Sequence, residues 1–372
     1  MKKFFLTITI TIQILCLGIS VTAADTPDAK ASIVMDVNTG RVLSSYNSDL
    51  KLPMASTTKI MTTLLAIEYG NINDMVTISR KASIQEGSSI YLKEGEKIKL
   101  EDLLYGVMLR SGNDAAVAVA EHLCGNIENF SRLMNEKAML IGAKNTNFKN
   151  PHGLPDDNHY ATAYDLALIT CYALKNEKFS QIVKTRKKTI SGPPDTSWER
   201  VLQNKNKMLW QFNGGDGVKT GYTKKSGRCL VSSASRDGWQ LVSVVLNCGD
   251  WWNYSSKLLN DGFNNYDNVK IIDKYKTNIK ISVKKGKKKN IDIKPYSDLY
   301  APLLKIEEQY EKITYKPCLP DYVKAPIRKN GKAGILKAYA GNYLLGQVDL
   351  IYNNDVESSD WLYNIKNILK NL

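Results

Sequence analysis

The stretch PMASTTKIMTTLLAIEYG, residues 53–70, decides how the rest of the chain is read. After Pro53, residues 56–69 carry Ile60, Met61, Leu64, Leu65 and Ile67, and Gly70 then stops the run. These apolar residues surround much of a helix circumference, which predicts a buried central helix. At its start Ser56 and Lys59 stand three residues apart, so they share a face and the lysine amine can reach the serine hydroxyl. A hydroxyl is a poor nucleophile until an adjacent base accepts its proton. A lysine becomes that base when burial and nearby cations lower its pKa. Pro53, Met54 and the apolar helix supply the burial, and Lys219 can supply the second positive charge. An isolated S-x-x-K is better explained as a helix cap followed by a solvated lysine. The chain contains such a decoy at Ser282-Val283-Lys284-Lys285.

Outward from this helix the elements change type twice. Residues 31–36 and 41–46 read as strands about the turn Val37-Asn38-Thr39-Gly40. Residues 100–175 are helical in pattern, with breaks at Ser111-Gly112-Asn113, Gly125 and Gly142 and a capping-box-like start at Thr162. Strand character returns at 218–221, 228–235 and 240–247, the last two joined by Arg236-Asp237-Gly238. Strands, then helices, then strands imply an α+β fold, an antiparallel sheet packed with helices. Near Asp273 the chain turns lysine-rich and strand-like, which predicts a small all-β domain over 274–355. Within it, the run Lys284–Lys289 reads as a solvated loop.

Two further motifs complete the chemistry. Ser111-Gly112-Asn113 falls in a tight link between helices, and Lys219-Thr220-Gly221 lies on a strand after a glycine-rich approach. Ser45-Tyr46-Asn47 also fits S-x-N but sits at a strand end, whereas K-T-G occurs once. From the wall opposite Ser56, Ser111 can relay a proton to a leaving amine, and Asn113 can orient Lys59 or hold a substrate amide. Lys219 and Thr220 can bind a carboxylate, and Gly221 leaves room for an extended peptide. The N–H groups of Ser56 and Tyr222 form the expected oxyanion hole. Of the three histidines, His152 reads as a loop residue, His159 as exposed and His122 as part of a helix face. The pair Trp251-Trp252 could line a groove, but core packing or a helix start is the better reading.

With the three motifs in this order, the chain resembles the penicillin-recognising serine enzymes. It is most similar to the low-molecular-mass penicillin-binding proteins that are D-alanyl-D-alanine carboxypeptidases. Asn150-Pro151-His152-Gly153-Leu154 and the stretch 241–266 extend the resemblance. It implies a β-lactamase/transpeptidase-like catalytic domain, with a helical subdomain, over residues 25–273. It implies an acyl-enzyme on Ser56, with Lys59 as the base, Lys219 in substrate binding, and Ser111 and Asn113 as the second motif. Tyr222 departs from the histidine that some members carry there. The implied substrate is the peptidoglycan pentapeptide stem, which loses its terminal D-alanine, with β-lactams as covalent inhibitors and no metal or organic cofactor. A β-lactamase shares the motifs, but the C-terminal β domain and tail argue against it. Intact motifs argue against an inactive wall-binding protein.

The composition agrees. Hydrophobic residues make up 43% and charged residues 24%, which excludes a disordered chain and a multi-span membrane protein. A net charge of +14 calls for a polyanionic neighbour. Met1-Lys2-Lys3, an apolar run over 4–21 and the small residues to Ala23 read as a signal peptide over 1–24. Secretion turns the expected polyanion from nucleic acid to anionic lipid or acidic wall polymer. Of the six cysteines Cys16 leaves with the signal, and the other five read as buried apolar residues. In the tail, 356–372, Trp361, Leu362, Ile365, Ile368, Leu369 and Leu372 form one helical stripe with Lys366 and Lys370 between them. Far short of the ~20 residues that cross a bilayer, this segment is expected to lie on an anionic membrane surface. The expected location is the outer face of the cytoplasmic membrane and the cell wall.

Overall fold

The computed structural model describes residues 28–193, 196–305 and 313–360. The expected signal peptide and tail residues 361–372 lie outside the described residues. The central sheet has five antiparallel strands: β1 (Ala29–Asp36), β2 (Val42–Tyr46), β3 (Gly215–Thr223), β4 (Gly227–Arg236) and β5 (Trp239–Cys248). Their order is β2-β1-β5-β4-β3, so β3, with the K-T-G motif, is an edge strand. The β4–β5 hairpin turns through Asp237 (φ 49°) and Gly238 (φ 78°). Two consecutive left-handed residues give the twist a two-residue hairpin needs, and glycine adopts that conformation without penalty.

Alternation along the strands splits the core between the two faces of the sheet. Ile33, Met35, Val231, Val242, Val244 and Leu246 pack with the helices of residues 59–183. Val34, Leu230, Ala234, Leu241 and Val245 face the helix Trp251–Asn265, through its Leu258, Leu259 and Phe263. The helix Lys59–Tyr69 lies inside the first cluster, with Lys59 through Ala66 all buried. Ser56 sits just before it, in a 3-10 turn over Ala55–Thr58. The expected stops are present: Gly125 and Gly142 take left-handed caps, and the Thr162 side chain accepts from the Asp165 N–H.

The second core begins ahead of the lysine-rich composition. Tyr266–Ile272 pairs with Leu299–Leu304, and Ile271 and Ile272 join Ile281, Ile293, Leu336 and Leu350. This packing unit therefore starts at about 266, because strand pairing and not lysine content defines it. Its six-stranded sheet includes one parallel pairing, Ile279–Lys284 with Tyr322–Lys324. The basic run forms the loop after Lys284, where Lys287 pairs with Glu357. Residues 356–358, assigned to the tail by sequence, are bound to this unit through the bridges Val356–Ile327 and Ser358–Gly286. All five described cysteines are free. Leu230 faces Val245, which keeps Cys229 and Cys248 out of opposition. Cys318 is exposed and Cys124 half-buried, unlike the buried set expected, because Cys318 ends the edge strand of the second sheet.

Leu64 is fully buried at the centre of the first cluster. Leu64→Ala is expected to destabilise the chain by about 2–5 kcal/mol, read as a lower urea midpoint at an unchanged m-value.

Candidate active site

Ser56 owes its position to backbone that the chain closes from three sides. Ala55 adopts φ 48°, an unfavourable left-handed conformation for a residue with a Cβ. Gly153 (φ +88°) packs so tightly that a Cβ there would meet the Ala55 carbonyl oxygen at 1.9 Å. Gly221 approaches on the other side, where a Cβ would lie 3.0 Å from both the Met54 oxygen and the Ser56 nitrogen. Gly221 thus admits the chain's own backbone, a requirement additional to the expected room for a substrate peptide. Thr58 Oγ1 donates to the Ala55 carbonyl at 2.8 Å and lies 2.8 Å from His159 Nε2. His159 Nδ1 accepts from the Lys149 N–H, so the proton is on Nε2 and is donated to Thr58. His159 is 4% exposed, not the exposed residue expected.

Lys59 is 0% exposed. Its Nζ lies 3.1 Å from Ser56 Oγ, 2.7 Å from Asn113 Oδ1 and 2.6 Å from the His152 carbonyl. Burial, followed by the Lys219 charge, holds its pKa well below the ordinary lysine value, and Asp114 opposes this. As a neutral amine it can donate to Asn113 and His152 and turn its lone pair to the Ser56 hydroxyl. Two fixed acceptors thus leave one direction for a proton to arrive. Asn113 is itself held, its Nδ2 donating to the Glu86 carbonyl and its N–H to Ser88. Asp114, fully buried, accepts from Ser89 Oγ and from the N–H groups of Ile90 and Leu92, fastening that segment to the motif.

Ser111 follows a π turn over Gly106–Arg110 and takes φ 65°, which aims the S-x-N link back towards Ser56. Lys219 is 1% exposed, donates to the Thr220 carbonyl at 2.8 Å, and has its pKa lowered to about 7 by burial and then by Lys205. The cleft above has a volume of about 630 Å³ and is lined by Ser56, Ser111, Thr220, Gly221 and Tyr222 among others. Lys59, Asn113 and Lys219 are buried and do not line it. All three motifs therefore meet at one cleft, some as its surface and some as its floor. A larger hollow of about 900 Å³, lined in part by Met139, Leu140 and Phe148, touches none of them.

Sequence reading missed several cleft residues. Ser88, Lys205, Lys207 and Arg228 belong to no motif and arrive from distant segments. Trp251 and Trp252 start a helix, as expected, and also line the cleft, the alternative that the sequence ranks second. His152 contributes through its carbonyl, which no side-chain pattern could have announced; the neighbouring N-P-H-G-L segment was the available signal. His122 lies on a helix beside Asp74 at 3.3 Å, as expected.

Comparison with known proteins decides the family. The D-alanyl-D-alanine carboxypeptidase profile matches residues 19–249. The chain belongs to that family. A second profile, the C-terminal domain of penicillin-binding protein 5, matches residues 266–358, the span of the second core. The chain is 33% identical to the D-alanyl-D-alanine carboxypeptidase DacF of Bacillus subtilis over 347 residues, 91% of this chain and 88% of that one. It is 32% identical to DacA of Haemophilus influenzae over 90% of its own length and 88% of the relative's. Crystal structures of penicillin-binding protein 5 from Haemophilus influenzae superpose with a TM-score of 0.72 at 30% identity, covering 90% of this chain and 99% of that one. The α+β catalytic fold and the small all-β domain are those of the family, and the protein is a serine D-Ala-D-Ala carboxypeptidase of the penicillin-binding group.

The histidines of this carboxypeptidase carry a pH consequence. Burial, followed by the Lys59 charge for His152 and opposed by Asp156 for His159, lowers their pKa values to about 3 and about 4. Folded values below the unfolded ~6.5 mean that both contribute stability above that pH and lose it as pH falls. For His159 the loss is on the order of 3 kcal/mol between pH 7 and 4. His159→Gln is expected to be less stable at pH 7 and to show a shallower decline towards pH 4, measured as urea midpoint against pH.

Proposed function

We propose that Ser56 is the acylated nucleophile, with Lys59 its base, in removal of the terminal D-alanine from peptidoglycan pentapeptide stems. The observation that carries this is the buried Lys59 amine, shared between Ser56 Oγ, Asn113 Oδ1 and the His152 carbonyl. The Ser56 proton passes to Lys59 Nζ as Oγ attacks the scissile carbonyl. The oxyanion is held by the N–H groups of Ser56 and Tyr222. Collapse breaks the C–N bond, Ser111 relays the proton held on Lys59 Nζ to the departing D-alanine amine so that both side chains return to their starting state, and Ser56 retains the shortened stem as an ester. Water then hydrolyses the ester and restores the hydroxyl. Asn113 keeps Lys59 aimed throughout. Lys219 and Thr220 hold the substrate's terminal carboxylate, and a bound carboxylate favours the charged form of a lysine that otherwise titrates near 7. Gly221 lets β3 lie against the Ser56 turn so that both oxyanion donors converge. β-Lactams acylate the same oxygen as covalent inhibitors.

The same enzyme is proposed to act outside the cell, at the outer face of the cytoplasmic membrane. The basic and apolar N-terminal sequence supports export, and the stripe from Trp361 to Leu372 with Lys366 and Lys370 supports attachment to anionic lipid. Substrate there is a wall polymer precursor, consistent with the strong excess of Lys and Arg over Asp and Glu in the chain beside anionic surfaces.

Ser56→Ala is expected to abolish both D-alanine release and covalent labelling by a fluorescent penicillin, while Lys59→Ala slows acylation roughly 100- to 10,000-fold and retains a cooperative unfolding transition. Labelling retained in Ser56→Ala would remove that residue from the mechanism. For the tail, the mature protein is expected to co-sediment with anionic liposomes, less so at high salt, and a form lacking residues 361–372 to stay in the supernatant. Equal sedimentation of the two forms would overturn the attachment.

A further inference from the structure

The cleft does not end at the reacting serine. Tyr222, 63% exposed, pairs across the sheet with Arg228, whose Nη1 donates to the Gly249 carbonyl at 2.7 Å. The next residue, Asp250, caps the helix Trp251–Asn265, with Oδ2 accepting from Asn253 Nδ2 at 2.8 Å. Its own N–H is taken by Asp28. Trp251 and Trp252 follow, half-buried, with ring centroids 4.8 Å apart and planes tilted by 48°. Arg228, Asp250 and both tryptophans line the same cleft as Ser56. Among the described residues neither Arg228 nor Asp250 forms an ion pair of its own. One end of the cleft thus presents an exposed guanidinium and an exposed carboxylate beside two indole faces.

The direction of a bound stem follows from the catalytic reading above, on which this inference rests. With the terminal carboxylate at Lys219 and Thr220 and the scissile carbonyl at Ser56 and Tyr222, upstream residues run past Tyr222 towards Arg228 and Asp250. An extended peptide advances about 3.3 Å per residue. The residue that precedes the two D-alanines therefore enters this end of the cleft, and in a peptidoglycan stem that residue is a diamino acid. We propose that Arg228, Asp250, Trp251 and Trp252 form a subsite for a diamino acid whose side chain ends in both an ammonium and a carboxylate. Arg228 takes the carboxylate through its planar fork of donors. Asp250 takes the ammonium, and the indole faces flank the methylene chain and add cation–π attraction. A lysine-type side chain, with an ammonium alone, leaves Arg228 without its anion. The subsite therefore selects diaminopimelate-type stems over lysine-type stems.

The test uses four substrates with the mature enzyme: a diaminopimelate pentapeptide, its side-chain carboxamide, the lysine pentapeptide, and an N-acylated D-Ala-D-Ala peptide with no ionisable side chain. D-Alanine release is measured as kcat/KM for wild type, Arg228→Gln and Asp250→Asn. Asparagine caps a helix about as well as aspartate, so the second change spares the fold. Ratios between substrates are taken within each protein, which cancels any effect on folding or on the chemical step. Wild type is expected to favour the free acid over both the carboxamide and the lysine peptide by roughly ten-fold, the worth of one hydrogen bond to a charged group. Arg228→Gln is expected to erase the acid-to-carboxamide ratio. Asp250→Asn is expected to lower all three amine-bearing peptides relative to the neutral one. An acid-to-carboxamide ratio near one in wild type, or one that survives in Arg228→Gln, would overturn the subsite. Failure of wild type to release D-alanine even from the neutral peptide would overturn the catalytic reading instead.

Discussion

A lysine amine buried beyond the reach of water must find its partners inside the protein, and the site is organised around that requirement. Lys59 Nζ is satisfied by Ser56 Oγ, Asn113 Oδ1 and the His152 carbonyl. These come from the 3-10 turn, the start of the helix Asn113–Cys124 and the loop after Pro151. Displacing any one leaves a buried polar group unpaired, at a cost of about 1–3 kcal/mol. The same burial that demands these partners lowers the lysine's pKa, with the Lys219 charge adding to the effect. Packing and chemistry are therefore one constraint.

The supporting contacts hold three segments still around that amine. Gly153 and Gly221 let two backbones close on the strained Ala55 turn, and neutral His159 ties Thr58 to it. On the opposite wall, Asp114 gathers the N–H groups of Ile90 and Leu92, while Arg200 binds Glu96 in a buried pair and donates to the Ile90 carbonyl. A buried pair of this kind adds little net stability, but its contacts tie Arg200 to the segment 90–96. Ser88, just before that segment, lines the cleft.

Among the described residues, polar and aromatic contacts join the second unit to the catalytic one. Arg41 donates to the Pro302 carbonyl and lies 5.8 and 5.1 Å from the ring centres of Tyr266 and Tyr343. The Tyr266 hydroxyl donates to the Leu43 carbonyl at 2.8 Å. The two cores remain separate, one built on the central sheet and one on the strands after Asn265.

Local pattern determined much of this protein by itself. Helical periodicity over 56–69, turn chemistry at Asp237-Gly238, the caps at Gly125, Gly142 and Thr162, and the order of three motifs are all short-range properties of the chain. They were enough for the α+β fold, the family resemblance and the eight motif residues, because residues three or four apart on a helix, or consecutive on a strand, are neighbours in any fold that contains those elements. Tertiary structure decided the rest. Glycine at 221 was legible as a close approach, but which backbone approaches depends on β3 lying against the Ser56 turn. His159 reads as exposed from sequence, yet it is buried because the chain after residue 150 folds over that turn. The start of the second unit at 266 was hidden because strand pairing with 299–304 leaves no mark on composition. Lys205, Arg228 and Asp250 reach the cleft from segments far from the motifs, and no spacing rule spans such distances. Position in the chain fixes proximity only within one element; between elements, proximity is set by which faces must be buried together.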